Sequence, residues 1–251
     1  MNFLPIFKRS IKWRFHHKFT IVVTILQPML WLLLYTQIAK YSMTSIENTN
    51  YVTYVFAGLI FLVSFGACSS GGIMNYLMKN DGSFYRVIQS PISRVSLILG
   101  QVLESILCSL LEVIIMFLVG LMVGLKIQCS LSGILITLFV VILVNFCIAT
   151  FAYLMSLIIP NEVMYETTMN AVVLPIFFLS SALFPVDGIK GILGTIVRLN
   201  PFTLAIDFIR FILMGKSIIF SNFFITTAIF LLLGILLFWL TLNKIKKSND
   251  Y

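Results

Sequence analysis

Six long apolar runs, near residues 21–39, 52–74, 95–124, 132–159, 167–184 and 219–242, alternate with short segments that hold nearly all the polar and charged positions. Each run is close to the ~20 residues an α-helix needs to cross a hydrocarbon layer of ~30 Å. A transmembrane β-barrel needs strands of about 10 residues with alternating polarity instead. Stretches such as Ile218–Leu242 are continuously apolar, so their backbone groups must be satisfied inside helices. The pattern predicts an all-α membrane protein of six transmembrane helices, a single domain over residues 1–251 that leaves no room for a soluble domain at either end.

The segments between the runs have their own periodicity. Residues 2–19 place Phe3, Phe7, Ile11, Phe15 and Phe19 at four-residue spacing, with Lys8, Arg9, Lys12 and His16 around the other side. Asn2 suits a helix cap, Pro5 a first turn, and Trp13 the headgroup layer. Residues 1–20 therefore read as an amphipathic helix in the membrane interface, with the phenylalanine stripe toward the apolar side. It serves either as a topological anchor or as a contact surface for a cytoplasmic partner. No small-residue cleavage site follows the first run, so the segment is not read as a signal peptide.

Between the second and third runs, residues 75–94 contain Lys79-Asn80-Asp81-Gly82-Ser83 and Ser90-Pro91-Ile92-Ser93-Arg94. Asp81 or Ser83 caps a short helix over Phe84–Gln89, and Pro91 stops it. Such a helix, tied to a span at each end, is a rigid handle. Gly71-Gly72 just before it reads as span termination or close packing.

The third run is longer than a span requires and tilts or protrudes. Gln101, Glu104, Ser105, Cys108 and Glu112 fall within about a 100° arc of it. An unpaired carboxylate at mid-bilayer costs ~2.5–3.5 kcal/mol, so the stripe faces protein or water. It lines a path or relays protons, or it fixes helix packing through hydrogen bonds. No basic residue lies deep in another run to pair with it, so in the packing reading the glutamates are protonated. The link at 160–166 carries Glu162 and Glu166, and Pro175 is expected to kink the fifth run. Residues 185–217 are too apolar for a solvated loop and too broken to cross, which predicts a re-entrant or interfacial helical hairpin. Asp207 and Arg210, three apart, are placed to pair on one face of it.

Composition agrees: 60% of residues are hydrophobic, only 10% are charged, and there are 23 phenylalanines. The net charge of +8 is unevenly sorted. Eleven of the 17 basic residues lie before the first run, between the second and third, or after the sixth. The positive-inside rule puts those segments, and both termini, in the cytoplasm, in a multi-pass protein of the cytoplasmic membrane. The basic residues then face anionic lipid, and no basic domain exists to hold nucleic acid.

Candidate chemistry is sparse. Cys68, Cys108, Cys129 and Cys147 have no metal- or disulfide-type spacing. Adjacent His16 and His17 point about 100° apart on a helix, which does not make a metal site. Both histidines lie in the N-terminal segment, so no Ser/His/Asp set forms. Gly215-Lys216-Ser217 looks like the end of a phosphate-binding loop, but Arg210 stands where that loop needs its first glycine. The chain is expected to be no enzyme and to hold no metal or cofactor. Energy comes from a partner or an ion gradient.

These features together resemble the ABC-2 type permeases, membrane subunits of ABC exporters akin to drug- and bacteriocin-resistance permeases. The resemblance rests on the N-terminal helix, the Asp81-Gly82-Ser83 and Ser90-Pro91-Ile92-Ser93-Arg94 loop, and the outer segment with Leu199-Asn200-Pro201-Phe202, Asp207 and Arg210. The loop departs from the family in carrying Met78 and Lys79 where an acidic residue precedes a Gly-Thr pair. The resemblance implies two permeases, identical or related, joined to two copies of an ATP-binding cassette subunit that binds ATP and Mg. It implies ATPase coupling through Lys79, Asp81, Gly82, Ser83, Phe84 and Arg86 with Lys8, Arg9 and Lys12. It implies an outer gate at Asn200, Pro201, Asp207 and Arg210, and an apolar or amphipathic drug, peptide or lipid as substrate. The alternative is a gradient-driven carrier or channel using Glu104 and Glu112.

Overall fold

The structure, a computed structural model, describes residues 3–16, 22, 26, 29–34, 37, 51–88, 92–186, 191–216 and 220–247. Most of the first apolar run lies outside the described residues; within it residues 29–34 are helical and Leu32 is buried.

The described segments are all helical: α1 (Leu4–His16), α2 (Tyr51–Asn80), α3 (Ser83–Ile88), α4 (Arg94–Val123), α5 (Leu131–Ile158), α6 (Glu162–Phe178), α7 (Gly191–Leu199), α8 (Pro201–Leu213) and α9 (Phe220–Lys247). Four of them, α2, α4, α5 and α9, are long and apolar enough to cross a membrane, or five spans if α7 and α8 count as one broken span. Six spans are therefore not what the described helices show. The fifth expected span becomes α6, which begins at Glu162 and ends at Phe178 after 17 residues. Pro175 sits in its last turn, so it helps end the helix and does not kink the middle of a span.

Local chemistry sets the boundaries. Ser93 caps α4 by accepting from Ser96 N at 3.2 Å, and Ser130 caps α5 by accepting from Gly133 N at 3.3 Å. Asn161 does the same for α6 at 2.8 Å, and Gly124, at φ 104°, closes α4 in the left-handed conformation. Asn200 caps α8 ahead of Pro201, and the α7–α8 pair is bent by 75° there.

α2 is the central helix, packed on α4, α5, α6 and α8. Its start meets α8 and the turn after α6, while its end meets α1 and α3, so the bundle has a hairpin end and a handle end. Close approach along α2 depends on glycine. A Cβ on Gly58 would lie 2.6 Å from Ala182 O, and one on Gly72 would strike the Tyr165 hydroxyl. α2 continues through Gly71-Gly72 to Asn80, so the pair packs and does not terminate the helix. The span expected to stop at residue 74 thus takes residues 75–80 from the loop.

α2 and α4 each have 30 residues, about 45 Å, and exceed a ~30 Å layer by roughly 15 Å. Lys126 follows α4 within three residues at the hairpin end, and at the handle end α1 lies against Gly100 of α4.

Candidate functional site

The handle is α3 with the turn before it. Gly82, at φ 67°, reverses the chain after α2, and α3 runs over Ser83–Ile88, one residue earlier than the spacing predicts. Phe84 is buried beside Met74 and Met78 of α2 and packs against Leu157 of α5. Lys79 sits 5.1 Å from the Tyr76 ring and 5.6 Å from the Phe84 ring, and donates to Ser156 O at 3.3 Å. Tyr76 donates to Ile159 O at 2.8 Å, and Asn75 to Ser156 Oγ. Lys79 and Phe84 thus turn inward and bolt α3 to the ends of α2 and α5. Asp81 and Arg86 remain exposed on the outside.

α1 joins this handle. Arg9 Nη2 donates to Ser83 Oγ at 2.7 Å. Further along, Ser10 Oγ donates to Gln101 Oε1 at 3.5 Å, and Gln101 Nε2 donates to Gly71 O at 3.2 Å. Arg14 reaches deepest: its Nε lies 2.5 Å from Glu104 Oε1, its Nη2 donates to Glu104 Oε2 at 3.4 Å, and its Nη1 donates to Ser70 Oγ at 2.7 Å. Burial pulls the Arg14 pKa down, but Glu104, together with Cys108 and Glu112 near it, holds the guanidinium above its ordinary value.

The face that α1 presents to the bundle is Ile6, Ser10 and Arg14. It lies one residue, about 100°, from the line of Phe7 and Ile11, which are half-buried beside it. One expectation is corrected here: the stripe on α4 has a basic partner, because Arg14 comes from the interfacial helix and not from another span. Glu104 is 1% exposed, and Gln101, Ser105, Cys108 and Glu112 are buried with it. Cys108 Sγ donates to Glu104 Oε1 at 3.3 Å, and Ser105 fills the space that a side chain on Gly71 would take. Beyond them, Asn145 Nδ2 donates to Ser109 Oγ and Ser109 to Ser64 Oγ, joining α5, α4 and α2.

At the hairpin end, Arg210 is 7% exposed. Its Nη1 lies 2.6 Å from Asp207 Oδ1, its Nη2 donates to Ser181 O at 2.6 Å, and its Nε donates to Tyr54 O at 3.3 Å. The guanidinium stacks 3.5 Å from the Tyr54 ring, and Ser181 Oγ donates to Asp207 Oδ1 at 2.7 Å. Asn200 Nδ2 donates to Ile176 O and Leu179 O, both at 2.9 Å. Phe202, next to the Asn200-Pro201 corner, packs on Phe65 and Phe61, about three to four turns along α2. The four hairpin residues thus knit α8 to α6 and α2. Gly215, at φ 71°, ends the turn after α8 and lies against Gln128.

Arg14, Ser70, Tyr54 and Ser181 were not singled out in the sequence. Arg14 carried a signal, since Ile6, Ser10 and Arg14 share a face at four-residue spacing. Tyr54 and Ser181 carried none: they lie 156 and 29 positions from Arg210, and part of what each gives it is a backbone oxygen.

The family model of the ABC-2 type transporter matches residues 1–214, and the chain belongs to that family. It is similar to three proteins named "Putative transport permease ycf38". That of Cyanophora paradoxa is 28% identical over 207 residues, covering 81% of this chain and 71% of the relative. Those of Porphyra purpurea and Pyropia yezoensis are 29% and 27% identical over 197 residues, covering 77% of this chain and 67% of each relative. Transporters of this family work with an ATPase partner.

Proposed function

We propose that this ABC-2 family member is the membrane-spanning permease subunit of an ATP-driven exporter, carrying an apolar or amphipathic drug, peptide or lipid across the cytoplasmic membrane. Two permeases, identical or related, pair with two ATPase subunits that bind ATP and Mg, and this chain itself does no chemistry. The handle end, with both termini, faces the cytoplasm, in keeping with its 11 basic residues. α7 and α8 form a re-entrant outer hairpin that gates the path, held by Asn200, Asp207 and Arg210. Lipid surrounds the bundle, and the exposed Lys8 and Lys12 lie against its anionic headgroups or against the ATPase.

The observation that carries this reading is the division of labour in α3. Phe84 and Lys79 fasten it to two long helices, while Asp81 and Arg86 stay exposed for a partner. A push on such an element is transmitted to α2 and α5 without loss in a flexible loop. The pairing of Glu104 with Arg14 favours this reading over a gradient-driven carrier, in which Glu104 would have to exchange protons freely.

Affinity purification of the full chain from its native membranes tests the proposal. A separate subunit with a phosphate-binding loop is expected to co-purify, and to be lost when Asp81 and Arg86 are both reversed in charge. Purification of the chain alone, with pH-driven transport abolished by Glu104→Gln, would establish the carrier instead.

A further inference from the structure

We infer that Arg14 and Glu104 are positioning residues. Their ion pair clasps α1 to the handle-end parts of α2 and α4, so that α1 and α3 move as one body. This rests on the reading of α1 and α3 as the surfaces an ATPase pushes. Three rungs run along α1, Ser10 and Arg14 one turn apart on its buried face and Arg9 on the exposed edge beside them. Arg9 reaches Ser83 on α3, Ser10 reaches Gln101, and Arg14 reaches both Ser70 on α2 and Glu104 on α4. The residues bonded to α1 thus belong to three different helices, 56 to 91 positions away in sequence.

The location of the third rung gives the clasp its strength. Glu104 lies ten residues into α4, about 15 Å from its handle end. Its side chain is 2% exposed and that of Arg14 12%, so little water competes for either charge. A side-on guanidinium with two nitrogens on one carboxylate and a third on a serine also fixes the direction of α1, which a lysine cannot do. Ile6 packs against Gly100, where any side chain on the glycine would collide with it. The apolar contact and the ion pair therefore restrain α1 at two points roughly two turns apart, which prevents it from pivoting.

Pulsed electron paramagnetic resonance on the full chain in nanodiscs tests this without a partner. Spin labels go on Lys12→Cys and Arg86→Cys, both exposed, with the half-exposed Cys129 replaced by serine. The parent chain is expected to give one narrow distance. Glu104→Gln and Arg14→Ala are expected to widen the distribution roughly twofold, and the swap Arg14→Glu/Glu104→Arg to narrow it again. In the complex with its ATPase, the single variants should lose about fivefold or more of the stimulation of ATP hydrolysis, and the swap should recover it. Arg9→Ala, at an exposed rung where folding is not at stake, should widen the distance while α1 stays protected from hydrogen exchange. Narrow distances in Glu104→Gln and in Arg9→Ala, or a swap that restores nothing in a folded chain, overturn the clasp. If no ATPase is stimulated even by the parent chain, the transport reading fails, while the distance widths still decide the clasp.

Discussion

Arg210 Nη1 lies 2.6 Å from Asp207 Oδ1, and the same guanidinium donates through Nη2 to Ser181 O at 2.6 Å, so one side chain ties α8 to its own helix face and to the turn after α6. Removing it takes the cation from Asp207, which keeps the Ser181 hydroxyl, and a donor from the carbonyls of Tyr54, Ser181 and Ala182. Arg210→Ala is expected to cost about 3 kcal/mol, the low end for a buried pair because the Asp207 side chain is 35% exposed. Arg210→Lys should recover little, since an ammonium cannot reach Ser181, Tyr54 and Asp207 together. Asp207→Asn should cost less, because the guanidinium keeps its carbonyl acceptors. Thermal unfolding of the detergent-purified chain orders the three.

The glycines of α2 give a second test. Gly72→Ala forces its Cβ into the Tyr165 hydroxyl, which itself donates to Ser69 O at 2.9 Å. A destabilisation of about 1–3 kcal/mol is expected. Tyr165→Phe in the same chain should relieve only part of it, because the ring Cζ still lies 2.6 Å from the new Cβ and Ala152 O 3.0 Å. Gly58→Ala meets the backbone of Ala182, which no side-chain change can move, and should be the more damaging. Melting temperatures of the three variants against the parent chain decide this.

In α3, packing and docking separate by residue. Phe84→Ala opens the cluster with Met74, Met78 and Leu157 and is expected to cost roughly 3 kcal/mol of stability. Arg86→Glu, on the exposed side, should leave the melting temperature unchanged within about 0.5 kcal/mol yet weaken ATPase association. Equilibrium titration of the ATPase onto nanodisc-held permease measures the second effect. Equal losses in both assays for both variants would contradict the division.

Much of this was legible in the sequence. The apolar runs located α2, α4, α5 and α9, and Ser93, Asn200 and Gly124 punctuate helices where cap chemistry places them. Which face of α1 meets the bundle was not legible, for a physical reason. In a membrane the face against protein is often the smaller or more polar one. Ser10 and Arg14 fit that rule, while Phe3 and Phe7 stay half-buried beside them. The partner of Glu104 was hidden for another reason: Arg14 is 90 positions away, and nothing local links them. Gly71-Gly72 left two readings open because glycine both ends helices and lets them approach, and the positions of Ser105 and Tyr165 tell which applies.

ATP hydrolysis by the co-purified subunit, measured in nanodiscs with and without this chain, reaches the central claim most directly. The parent chain is expected to stimulate hydrolysis about fivefold or more, and Arg86→Glu to abolish that stimulation while leaving the bundle intact. A hydrolysis rate that is the same with the parent chain, without it, and with Arg86→Glu would contradict the assignment of α3 as the place where force enters this permease.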